Sequence, residues 1–223
     1  VPNLFIPDYG SKLTTSVYIR GIGSRINTPA VGLYVDNIPF IDKSAFDFNY
    51  SDIERIDVMR GPQGTLYGRN TMGGLIRVFT KSPFTYQGTD LRLGAATYNN
   101  YNASLTHYHR ISNQFAFSVG LFYDHKGGFF KNDFNGKRID TDNEFGGRIR
   151  AIYLPTENLK LDFTVNYEYA NQGGYPYEYT GKVKGEEDRA EYIGRISYDN
   201  ACGYKRNLLN TGVNLEYQAD NFI

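Results

Sequence analysis

Leu159-Lys-Leu-Asp-Phe-Thr-Val-Asn-Tyr-Glu-Tyr169 puts an apolar or aromatic side chain at every odd position and a polar or charged one at every even position. Side chains alternate across a β-strand, so this run reads as a strand with one apolar and one charged face. The same parity holds over 89–97, 101–110, 114–123, 144–154 and 208–218. Odd positions carry Leu91, Leu93, Leu105, Phe117, Leu121, Ile149, Val213 and Leu215. Even positions carry Asp90, Arg92, Glu144, Arg148, Arg150, Asn214 and Glu216. No Lys, Arg, Asp or Glu falls on the odd face of any of these cores.

The strands match the roughly 9–11 residues that a tilted strand needs to cross a membrane. A soluble antiparallel sandwich also alternates, and periodicity alone leaves the two open. Two details favour a membrane barrel. Tyr101, Tyr123, Tyr153, Tyr167, Tyr169 and Tyr217 sit at the ends of the apolar faces, where an aromatic girdle lies. After the first connection, lengths alternate: Ser112-Asn113 short, Asp124 to Asn143 long, Pro155 to Asn158 short, Ala170 to Asn207 very long. Short turns on one rim and long loops on the other are the outer-membrane pattern.

Composition agrees. Tyr 20, Phe 15 and Gly 24 suit half-apolar strands joined by turns, and a formal net charge of +0 gives no case for a nucleic-acid partner. No run of about 18 apolar residues offers a membrane-crossing helix. The single cysteine, Cys202, reads as an inert thiol, with a partner beyond residue 223 left open. The chain lacks an initiator Met and closes on what looks like the start of another strand, so both ends read as cuts in a longer protein.

The character changes near Pro83. Before it come Val17-Tyr-Ile-Arg-Gly-Ile-Gly23, Val31-Gly-Leu-Tyr-Val-Asp-Asn-Ile-Pro-Phe40, and Asp52-Ile-Glu-Arg-Ile-Asp-Val-Met-Arg-Gly-Pro-Gln-Gly-Thr-Leu-Tyr-Gly-Arg-Asn-Thr-Met-Gly-Gly-Leu-Ile-Arg-Val78. These are short strands punctuated by glycine turns. Val35, Ile56, Val58 and Ile76, with Leu33 and Val78, are the expected core. Across almost all of residues 1–83 the chain resembles the plug of the TonB-dependent receptor family. The resemblance implies a mostly β protein: a small mixed-sheet plug over 1–83, then over 84–223 the first strands of an antiparallel transmembrane β-barrel. It implies about 22 strands in the intact protein, some sixteen of them beyond residue 223. It also implies a location in the Gram-negative outer membrane and a TonB-contacting segment upstream of residue 1. The Arg60-to-Asn70 run resembles siderophore-type receptors, and Arg69-Asn-Thr-Met-Gly-Gly74 resembles those of the Bacteroidetes.

The glycine clusters lack the Lys-Ser/Thr ending of a phosphate loop and read as turns. His107 and His109 share a face near a strand end without a third ligand and read as interfacial residues. Lys182 to Arg189 reads as a solvated loop face. No nucleophile–base arrangement is evident, so an enzyme is not expected. By loop position in siderophore-type receptors, Arg25, Asn27, Phe40, Asp42 and Lys43 are candidate ligand contacts, with a solvated turn equally open for Asp42 and Lys43. On the long loop, Tyr175, Tyr177 and Tyr179, with Tyr192, Tyr198 and Tyr204, offer rigid contact area; packing over the mouth is equally open. The expected function is TonB-driven import of a bulky, scarce solute, a ferric siderophore foremost, with iron as cargo and no resident cofactor. A passive channel or structural subunit of an outer-membrane assembly is the alternative.

Overall fold

The computed structural model describes residues 1–7, 9–24, 28–46, 52–180, 193–200 and 202–219. Ahead of residue 81 the chain makes two small sheets. β1 (Leu4–Phe5), β2 (Tyr18–Ile19) and β3 (Ile22–Gly23) pair antiparallel. β4 (Val31–Val35), β5 (Ile38–Phe40), β6 (Ile53–Arg60) and β7 (Gly74–Thr80) form a mixed sheet in the order β5-β4-β7-β6, with β4 and β7 parallel. Parallel neighbours require a crossover, and the chain from β5 through β6 and the single-turn helix α1 (Gly64–Tyr67) supplies it. Asp36 and Asn37, at φ 47° and 66°, make the two-residue turn between β4 and β5, a conformation these residue types tolerate. Gly74, at φ 151°, lets β7 start against β6, where a Cβ would stand 2.5 Å from the Met59 carbonyl.

Leu33, Val35, Phe40, Ala45 and Val78 form one core cluster, and Val17, Ile19 and Val31 a second. Ile76 packs on both and Val58 on the second. Ile56 departs from the expected core: it is 52% exposed. β6 is the edge strand of its sheet, and Ile56 follows the irregularity between Ile53 and Arg55, so nothing described covers that side chain.

β8 (Gly88–Ala96), β9 (Asn100–Arg110), β10 (Phe115–Lys126), β11 (Asp142–Thr156), β12 (Leu159–Gln172) and β13 (Tyr204–Tyr217) make a six-stranded antiparallel meander in chain order. The expected strands are all present. β10, β12 and β13 run a few residues further at the long-loop end, because ladder hydrogen bonds continue after apolar side chains stop. Odd positions point away from the plug: Leu121 is 59% exposed and Leu209 66%, whereas Thr164 and Asp162 on the other parity are buried. A soluble sandwich buries its apolar face; here that face is bare and the charged one is covered, the inversion expected of a lipid-facing wall. Among the described residues no helix is long and apolar enough to cross a membrane.

The wall also touches the plug closely. Leu208 of β13 packs on the first plug cluster, and Gly212 leaves room for Ile38, whose side chain would meet a Cβ there at 2.5 Å. On the outward face of β11, Ile149 lies midway between Phe145 and Tyr153. Ile149→Arg in the full-length protein should destabilise the barrel by about 2–4 kcal/mol, read from denaturant unfolding in detergent, with Ile149→Leu as the neutral control.

Candidate functional site at the barrel mouth

Charge taken out of water has to be paired, and the inward face of the wall meets that demand from the plug. Arg148 on β11 donates Nη1 to Asp52 Oδ2 at 2.9 Å and Nη2 to Asp36 Oδ2. Two residues further along the same face, Arg150 grips Asp162 of β12 through Nε at 3.0 Å and Nη2 at 2.7 Å, and stands 3.4 Å from Asp36. Asp36 sits in the β4–β5 turn, where the Thr80 N–H and hydroxyl donate to its two oxygens at 3.0 and 2.8 Å. Asn214 of β13 donates to the Asp36 carbonyl at 2.6 Å. Asp36, Asp52, Arg148, Arg150 and Asp162 are all buried. Burial pushes the Asp52 carboxyl above its ordinary value, opposed by Arg148 and reinforced by Asp36.

Two more ties lie towards the long-loop rim. Lys12 Nζ pairs with Glu144 of β11 at 2.9 Å, both side chains buried. Ser11 caps the short turn Lys12–Thr14 by accepting from Leu13 N–H, while Gln172 of β12 accepts from Lys12 N–H at 3.1 Å and donates to the Gly10 carbonyl. Arg206 of β13 donates to the Ser44 carbonyl and to Glu168.

Above these ties a cleft of about 510 Å³ opens between plug residues 6–15 and the strand ends. Tyr9, Ser11, Lys12 and Phe46 line it from the plug; Lys126, Phe130, Asp140, Asp142, Gln172 and Pro176 line it from the barrel. Asp140 holds the adjoining loop by accepting from the N–H groups of Phe129 and Phe130, each at 2.8 Å. Asn132 ties that loop to the longer one, donating to the Tyr198 carbonyl at 2.7 Å.

The residues singled out from the sequence are distributed unevenly around this cleft. Arg25, Asn27, Tyr192 and the 182–189 run lie outside the described residues. Phe40 is a core residue, its ring packed with Leu33 and Val35 rather than presented for stacking, because it sits on the inward parity of β5. Asp42 is exposed and accepts from Ser44 N–H at 2.7 Å; hydrogen bonds from the Ser44 hydroxyl and N–H hold its carboxyl below the usual range. Lys43 opens the turn Lys43–Phe46. Tyr175 and Tyr177 stack at 6.0 Å, and the Tyr177 hydroxyl donates to the Tyr9 carbonyl at 2.6 Å. Tyr179 makes a bridge with Ile193. The plug segment 9–12 and the strand-end residues Lys126 and Asp142 went unrecognised. Only Asp142 left a trace in the sequence, as an inward-parity acid just outside the apolar stretch of its strand.

Residues 1–75 match the family model described as the TonB-dependent receptor plug domain. Residues 1–75 are thus a TonB-dependent receptor plug domain. The pesticin receptor of Yersinia pestis is 36% identical over 85 residues, 37% of this chain and 12% of that receptor. The vitamin B12 transporter of Vibrio vulnificus is 32% identical over 108 residues, 44% of this chain and 16% of the transporter. In fold, the ferric yersiniabactin uptake receptor of Yersinia pestis superposes with a TM-score of 0.79 at 22% identity, covering 99% of this chain and 35% of that one. The chain thus spans only a minor part of the relatives it matches. It has a plug domain followed by the first strands of an outer-membrane barrel.

In this receptor Arg148 is the cation shared by two plug acids. Arg148→Met would leave Asp36 and Asp52 buried with one partner fewer. The plug should lose about 3–5 kcal/mol of stability, measured by hydrogen exchange of residues 31–80, while the barrel stays folded.

Proposed function

We propose that the intact receptor actively imports a bulky, scarce solute across the outer membrane, a ferric siderophore foremost. The observation that carries this reading is the plug seated on the charged inward wall through buried ion pairs. A passive pore needs water there, not a folded domain. The relatives point the same way: one is a vitamin B12 transporter, and a structural neighbour is a ferric yersiniabactin uptake receptor. The solute binds at the outer mouth, in the cleft between plug and strand ends. Tyr177 reaches the Tyr9 carbonyl at its edge, and Tyr175, Tyr179, Asp42 and Lys43 are further candidate contacts, with Arg25 and Asn27 carried as candidates outside the described residues; Phe40 supports its loop from beneath. Plug and barrel divide at Pro83. Energy comes from TonB, engaged through a segment upstream of residue 1, because the outer membrane has no ion gradient or nucleotide supply of its own. Iron is cargo, and the chain performs no catalysis.

Deleting the intact gene should abolish growth on at least one iron chelate or on vitamin B12 in a panel where each is the limiting source. Replacing 180–199 with a short Gly-Ser linker, which keeps Gln172 and Arg206, should weaken binding of that compound about tenfold or more. Unchanged growth on every compound in the panel would overturn the import reading.

A further inference from the structure

We propose that the cleft at the outer mouth recognises a cationic hydrogen-bond donor, an ammonium group or its equivalent, on the imported solute, and that Asp142 receives it. The assignment rests on the import reading above and adds the chemical class of the solute. Asp142 opens β11 on the inward parity and faces the cleft, yet is only 3% exposed. Its Oδ1 has no hydrogen-bond partner among the described residues. The neighbours explain why the fold leaves it so. Glu144, next on the same face, is another acid; it pairs with Lys12 at 2.9 Å and shares a side-chain hydrogen bond with Asp142, which leaves Asp142 Oδ1 as the atom turned to the cleft without a partner among the described residues. Asp140 is engaged with the Phe129 and Phe130 N–H groups. Lys126 lies directly across the ladder, but its side chain is exposed and no ion pair joins it to Asp142 among the described residues.

The Asp142 Oδ1 atom lacks a donor, and a cation supplies both the hydrogen bond and the charge that favours ionising the Asp142–Glu144 pair. The space fits a small molecule: about 510 Å³ is within the range of ligand pockets and far above the volume of one water. Phe46, Phe130, Tyr9 and Pro176 supply apolar walls for the body of such a solute. The cleft therefore suits a molecule with an apolar or chelating body and a protruding ammonium.

The test uses the full-length receptor in detergent and two iron(III) trihydroxamate chelates that differ only in a pendant primary ammonium, free in one and N-acetylated in the other. The wild type should bind the ammonium form about tenfold tighter or more. Asp142→Asn should bring the two affinities within about twofold of each other, and Asp142→Glu should restore part of the difference. Equal affinity of the wild type for both chelates, as expected if Asp142 holds only water, overturns the assignment. Binding of neither chelate overturns it too, as does a preference that survives Asp142→Asn. The import reading is judged separately by the growth panel, where any dependent compound upholds it.

Discussion

The buried cluster of Asp36, Asp52, Arg148, Arg150 and Asp162 is the constraint on which the rest of the receptor's arrangement depends. A barrel wall with lipid outside must turn its polar parity inward, and the inward space must then satisfy those charges. Arg150 is partly settled within the wall by Asp162, whereas Arg148 reaches to the plug for the carboxylates of Asp36 and Asp52. The plug supplies them from two places far apart in sequence, the β4–β5 turn and the approach to β6. The turn residue Asp36 therefore has two duties: it takes a positive φ to reverse the chain, and it presents a carboxylate to the wall. Once Thr80 also donates to that carboxylate, the register of β7 against β4 and the seating of the plug become one problem.

An ionic contact between plug and wall has different consequences from an apolar one. Apolar surfaces pressed together separate only by exposing area to water, at about 25 cal/mol per Å². Ion pairs exchange partners with water, so much of the cost of parting them is recovered on hydration. Apolar contacts cross as well: Leu208 packs on the plug core and Ile38 lies over Gly212, the wall residue of each contact being on β13. Charge pairing and apolar packing thus both seat the plug on the wall.

Much of this was legible in the sequence, for a simple reason. Strand alternation is a local property, and the lipid-facing parity excludes charge so strictly that Leu159–Tyr169 alone displays it. The strand extensions at the long-loop rim were not visible, because Lys126, Gln172 and Tyr204 pair through backbone groups that leave no side-chain signature. Ile56 misled because apolarity between glycine turns does not reveal whether a strand lies at a sheet edge. Phe40 misled in the opposite sense, as an aromatic beside a loop that proved to be core. The cleft was invisible for a deeper reason: Lys12, Lys126, Asp142 and Gln172 converge only through tertiary contacts, and no spacing along the chain records that meeting.

The residues around the cleft are also the residues that hold the plug. Lys12 lines the cleft and pairs with Glu144; Gln172 lines it and bonds both Gly10 and Lys12. On the neighbouring strand, Arg206 joins the Ser44 carbonyl of the Asp42–Phe46 loop to Glu168. A solute that enters with its own charge therefore meets groups already engaged across the plug–barrel seam, and it alters their electrostatic surroundings without touching Asp36 or Asp52. Any differential effect on those ties changes how firmly the rim side of the plug is seated. The inner cluster at Arg148 is set apart from the cleft and keeps its own partners. A charge placed at the mouth would thus bias one set of ties while leaving the other in place.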